Sequence, residues 1–127
     1  AFAHFTQSRW QCILVADDDG VLAGWAAREN SDDMISDFWI DPMFQRHGVG
    51  GMLLEEIERQ VLAGGFPSIK LESHADNEKA LSFFRKHGYD VSWLSMKYAR
   101  KLDRDVQSIG LRKQLVEFEM LTYGPSF

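Results

Sequence analysis

Gln45-Arg46-His47-Gly48-Val49-Gly50-Gly51 is the stretch on which the reading of this chain turns. It follows the segment Met34 to Ile40, which ends at Asp41-Pro42. Proline cannot continue a central ladder, so the run reads as a strand that stops there. Beyond the stretch, Val49, Leu53, Ile57 and Val61 recur every four residues, with Leu54 and Leu62 beside them. That spacing predicts a helix from about Gly48 to Leu62, stopped by Gly64-Gly65. A glycine-rich turn at a helix N-terminus leaves backbone N–H groups bare, and the helix dipole adds partial positive charge there. The combination binds phosphate or diphosphate groups, and Arg46 and His47 add side-chain donors. The stretch has no Gly-Lys-Ser or Gly-Lys-Thr and no third spaced glycine, which separates it from triphosphatase and dinucleotide loops.

Working outward, Gln11 to Ala16 and Val21 to Ala27 read as strands joined by a turn at Asp17 to Gly20. Ser68 to Ser73 reads as another strand, and Asn77 to His87 as a helix capped by Gly88. Tyr89 to Ala99 reads as a strand, Leu102 to Asp105 as a turn, and Ile109 to Leu115 as the returning partner. A strand, a long helix and a strand form a crossover, so the two strands run parallel. Hairpins at both ends add antiparallel partners. The fold class is therefore α/β (α+β), a mixed and mostly antiparallel sheet with a central parallel pair and flanking helices.

The chain has 127 residues, the size of one domain. Residues 1–115 read as that domain and 116–127 as a tail that could form an interface, with a homodimer as the candidate assembly. Net charge is −5, which argues against a nucleic-acid platform and suits a cationic substrate. No apolar run approaches the roughly 18 residues of a membrane span. Cys12 is the only cysteine, so no intrachain disulfide forms and a reducing, cytoplasmic compartment is expected. No His, Cys and carboxylate spacing matches a metal site.

Gln45-x-x-Gly48-x-Gly50 resembles the coenzyme A signature of the GNAT superfamily of N-acetyltransferases. Phe38-Trp39-Ile40-Asp41-Pro42 is similar to the end of that family's fourth strand. Asn77-x-x-Ala80-x-x-Phe83-Phe84-x-x-x-Gly88-Tyr89 resembles its second motif. The resemblance covers roughly residues 11 to 115. It implies a further strand and two helices ahead of Gln11, of which Ala1 to Trp10 would supply at most the end of the second helix.

The resemblance implies acetyl-coenzyme A as co-substrate and a primary amine, on a small molecule or a protein, as acceptor. It implies a splayed strand pair opened by a bulge near Phe38 to Ile40. The pantetheine arm would pair there with backbone groups of Trp39 and Ile40, and an N–H in that segment would polarise the thioester carbonyl. The diphosphate would lie on amides of Arg46, His47, Gly48, Val49, Gly50 and Gly51, Asn77 would line the pantetheine side, and Phe84 would pack near the thiol.

An amine must lose a proton before it attacks, and the leaving thiolate benefits from gaining one. Asp37 and Glu72, on the two strands flanking the cleft, are the candidate bases, with Asp41 a third. Many family members carry a tyrosine acid where this chain has Phe84, so water or Ser82 would protonate the thiolate. Tyr89 and Tyr98 are the other nearby phenols. The alternatives are a non-catalytic acyl-coenzyme A-binding module and a half-domain completed by a partner.

Overall fold

The computed structural model describes residues 4–7, 13–29, 31–45, 48–99 and 104–116. Eight strands and two helices follow the order β1 (His4–Gln7), β2 (Ile13–Asp18), β3 (Val21–Ala27), β4 (Met34–Ile35), β5 (Asp37–Ile40), α1 (Val49–Ala63), β6 (Ser68–His74), α2 (Glu78–Lys86), β7 (Asp90–Ala99) and β8 (Arg104–Gln114). A short 3-10 turn, Pro42–Phe44, links β5 to the glycine loop. The strands form two four-stranded sheets, ordered β1-β2-β3-β5 and β4-β6-β8-β7.

The run Met34 to Ile40 is divided between them. Met34 and Ile35 pair in parallel with Lys70 and Leu71 of β6. Asp37 to Ile40 pair antiparallel with Ala27 to Gly24 of β3. The expected crossover pair is therefore present and splays beyond Ile35. The break falls at Ser36, not at the expected Phe38 to Ile40. Ser36 N–H donates to Ala27 O at 2.8 Å, already on the β3 side of the split. Its hydroxyl receives the Glu29 N–H, which ties the break to the preceding loop.

The N-terminal segment also differs from expectation. His4–Gln7 is a strand, not a helix end, and pairs antiparallel with Asp17 to Leu14. Phe5 packs against the core from this edge. An aromatic residue followed by a β-branched one suits a pleated, half-buried surface better than a helix. The returning strand β8 begins at Arg104, earlier than the expected Ile109. Cys12, Trp10 and residues 117–127 of the expected tail lie outside the described residues.

Helix α1 closes the core. Val49, Leu53, Leu54, Ile57 and Val61 are buried, and they meet Leu14, Ala16 and Ala26 of one sheet and Ile35, Ile69 and Leu71 of the other. One helix stripe thus covers both sheets and bridges the split. Helix α2 packs on the same side, with Phe84 buried in that core and in ring contact with Phe38. Strand alternation sends Val15, Trp25, Asp37, Lys70 and Glu72 to the opposite face. No described helix covers that face.

Candidate functional site

The splay leaves β5 as a sheet edge. Asp41 N–H donates to Ala23 O at 2.8 Å, so antiparallel alternation turns the backbone groups of Phe38 and Ile40 toward the open side. Consistent with this, Ile40 O accepts the Gln45 side-chain amide at 3.3 Å. An edge of bare backbone groups is a template for an added strand-like ligand.

A cleft of about 680 Å³ lies along that edge. Phe38, Trp39 and Ile40 form one wall, and Gln45, Gly48, Gly50 and Gly51 form its end. Helix α2 supplies the other wall, from Asn77 at its N-cap to His87 at its C-cap. Nine of the sequence-predicted residues therefore meet in one place: Phe38, Trp39, Ile40, Gln45, Gly48, Gly50, Gly51, Asn77 and Phe84. Val49 belongs to the same loop, but its side chain is buried in the core. Arg46 and His47 lie outside the described residues.

The glycines of the loop have three separate physical reasons. Gly48 caps α1 with φ +80°, a conformation that favours glycine, and nothing lies within 4 Å of where its Cβ would be. Its backbone is thus bare toward the cleft. A Cβ on Gly50 would lie 3.1 Å from Phe83 Cε1, and one on Gly51 would lie 3.1 Å from His87 Cε1. These two glycines let α2 approach the first turn of α1. Phe83 and His87 then stack with ring centroids 4.7 Å apart.

Asn77 accepts the Ala80 N–H at 3.4 Å, so its side chain caps α2 while facing the cleft. Phe84 is 5% exposed and sits edge-on to Phe38, Phe83 and Tyr89. It supplies a rigid apolar floor and no proton. Tyr89 does not replace it. The Tyr89 hydroxyl donates to Glu58 Oε2 at 2.8 Å, and Glu58 also pairs with Lys113 at 2.9 Å. Burial, and then the Glu58 carboxylate, hold this phenol well above its ordinary titration range. Tyr89 is a structural anchor between α1 and β8. The Tyr98 side chain lies outside the described residues.

The candidate bases lie elsewhere. Asp37 and Glu72 are exposed on the helix-free face and are absent from the lining of this cleft. They flank the splay from the opposite side. Asp41 is occupied in capping the 3-10 turn, where its carboxylate accepts the Met43 N–H at 2.8 Å. Ser82 is exposed and does not line the cleft.

Sequence reasoning missed the contribution of α2 beyond Asn77 and Phe84. Lys79, Phe83, Lys86 and His87 all line the cleft. Their spacing marks one face of a helix and was the available signal. Among the described residues no cluster of His, Cys, Asp or Glu could hold a metal ion. No described helix is long and apolar enough to cross a membrane.

Two sheets splayed around a crossover helix, with a glycine loop at its start and an open strand edge beside it, define an acyl-coenzyme A-type cleft. The chain belongs to the acetyltransferase (GNAT) family, whose model matches residues 1–89. It is 32% identical over 87 residues to the mycothiol acetyltransferase of Brachybacterium faecium, covering 63% of this chain and 26% of that protein. It is 27% identical over 107 residues to the uncharacterised protein YxbD of Bacillus subtilis, covering 82% of this chain and 67% of that one. Among solved structures, a provisionally named streptothricin acetyltransferase from Bacillus anthracis, in complex with acetyl coenzyme A, superimposes with a TM-score of 0.72. It is 23% identical, with 80% of this chain and 61% of that chain covered. The ribosomal-protein-S18-alanine N-acetyltransferase of Escherichia coli gives 0.71 at 20% identity, with 91% and 72% covered. The chain thus spans only part of each of these relatives.

Proposed function

We propose that this chain is an acetyl-coenzyme A-dependent N-acetyltransferase that transfers an acetyl group to a primary amine of a small molecule or protein. The observation that carries the reading is the open edge of β5 facing the bare glycine loop across one cleft. Family membership and the acetyl coenzyme A held by the Bacillus anthracis structure support it. The cleft volume lies within the range of about 300–1,000 Å³ typical of ligand sites.

In this reading the coenzyme supplies an activated thioester. Phe38 and Ile40 offer backbone groups to the pantetheine arm in the manner of an added strand. The Ile40 N–H is the donor placed to polarise the thioester carbonyl. The amides from Arg46 to Gly51 take the diphosphate at the positive end of α1. Asn77 borders the pantetheine and Phe84 the sulfur. The amine approaches from the helix-free face, where Asp37 and Glu72 remove its proton through water. Transfer is direct in a ternary complex. Residues 1–115 form the transferase domain in this account, with 116–127 a tail that takes part in assembly, and the compartment is cytoplasmic.

Release of free thiol from acetyl-coenzyme A over an amine panel tests the assignment. Asp37→Asn combined with Glu72→Gln is expected to lower kcat about 100-fold while leaving coenzyme affinity unchanged. An unchanged kcat in the double variant would remove both residues from the mechanism. One observation favours a second reading, a non-catalytic acyl-coenzyme A-binding module: the buried ring at Phe84 gives the thiolate no proton. Tight coenzyme binding with no turnover on any amine would select it.

A further inference from the structure

Strand β7 carries an indole that neither the core nor the coenzyme cleft uses. Trp93 is the Cα partner of Gly110 on β8, and Gly110 is in turn the partner of Glu72 on β6. The three residues form one row across the sheet, on the helix-free face. Trp93 Nε1, Cε2 and Cδ1 fill the space that a Cβ on Gly110 would take. The pyrrole ring therefore lies flat on the glycine, and the indole reaches from β7 across β8 toward Glu72. Glycine inside a strand weakens it, and here it permits that close approach. Trp93 is nevertheless 41% exposed. One face of the ring rests on the sheet, and the other is open.

That open face continues the acceptor side of the site. Neighbouring strands lie about 4.8 Å apart, so the ring begins about 5 Å beyond Glu72, on the side away from the split. An amine whose nitrogen sits at the split, near Asp37 and Glu72, would lay the rest of its molecule over this ring. The adjoining rows give a second ammonium no anchor there. In one, Asp90 and Lys70 flank Arg112, which leaves no excess of negative charge. The other holds Ser95, Ser108 and His74. A flat ring held rigid against the sheet suits a neutral apolar body, which it stacks with little loss of side-chain entropy.

We infer that Trp93 is a specificity determinant of the acceptor site, and that the acceptor is a monoamine whose nitrogen is joined to a flat apolar body. The inference rests on the transferase reading above and names the acceptor class for it. Trp93 binds the body of the acceptor and takes no part in proton or acetyl transfer.

Steady-state acetylation of 2-phenylethylamine and of ethylamine tests this, using the whole chain and saturating acetyl-coenzyme A. The unmodified protein is expected to give a kcat/KM about tenfold higher for 2-phenylethylamine, the upper range for an aromatic contact, with the difference in KM. Trp93→Ala is expected to remove the preference by raising the KM for 2-phenylethylamine, with the calorimetric affinity for coenzyme A unchanged. Trp93→Phe is expected to keep most of it. A ring that served only to cover Gly110 would lower kcat for both amines alike in Trp93→Ala, and that result would overturn the inference. Equal kcat/KM values in the unmodified protein, or a preference that survives Trp93→Ala, would overturn it while leaving the transferase reading intact. Turnover of neither amine by the unmodified protein would overturn the transferase reading and the inference with it.

Discussion

Replacing Gly24 by alanine is expected to destabilise the protein by about 2–3 kcal/mol and to weaken coenzyme binding at least tenfold in the molecules that remain folded. Gly24 faces Ile40 across the β3–β5 ladder. A Cβ there would lie 2.5 Å from Trp39 O, 2.7 Å from Ile40 Cδ1 and 3.3 Å from Ile40 Cα. Two of those three atoms are backbone and cannot rotate away, so β5 itself must move. The segment that moves is the cleft edge, which links the stability loss to the binding loss. Gly65→Ala is the contrasting variant. Gly65 has φ +95° and open space around its Cβ position, so it should lose about 1–2 kcal/mol with no change in binding. Urea unfolding and calorimetry on both variants check the pair. A Gly24→Ala protein of normal stability would show that β3 and β5 are not packed as described.

Replacing Gly50 by glutamate is expected to abolish measurable coenzyme binding, a loss of about 100-fold or more. Two effects combine. The Cβ would lie 3.1 Å and 3.2 Å from Phe83 ring atoms and 3.5 Å from Ile40 Cγ1. The carboxylate would bring negative charge into a wall that holds no described carboxylate, beside the amides assigned to phosphate. Gly50→Ala separates the two effects. Phe83 lies on a wall and can yield a few tenths of an ångström, so alanine should weaken binding less than tenfold. Calorimetric affinities for the two variants, with circular dichroism to confirm folding, provide the comparison. Equal losses for alanine and glutamate would assign the whole effect to packing and none to charge.

Much of the architecture follows from local sequence signals. The four-residue apolar recurrence of α1 and the glycines after it place that helix to within a residue at each end. Val21 to Ala27 forms the expected strand, and Ser68 to His74 extends its expectation by one residue. What local signals could not carry is the split at Ser36. Met34 to Ile40 holds no internal proline or glycine, and its one polar pair, Ser36-Asp37, does not by itself end a strand. The break arises because two different sheets compete for one run of chain, and that competition exists only in three dimensions.

The loop shows a second kind of limit. Gly50 and Gly51 read naturally as a bare backbone for phosphate. Their contacts with Phe83 and His87 add a packing reason that depends on where α2 lies. Asp37 and Glu72 were legible as carboxylates on the two splayed strands, but alternation puts them on the face away from this cleft. The missed lysines illustrate the reverse case. Lys79, Phe83 and Lys86 share a helical face that the sequence displays, yet only the position of α2 turns that face into a cleft wall.

The most direct test of the central claim is calorimetric titration of the unmodified chain with acetyl-coenzyme A, run beside desulfo-coenzyme A and ATP. Saturable one-to-one binding of both coenzyme forms and none of ATP is expected, because β5 and the glycine loop recognise a pantetheine arm joined to a diphosphate. No binding of either coenzyme form, or equal binding of ATP, would contradict the claim.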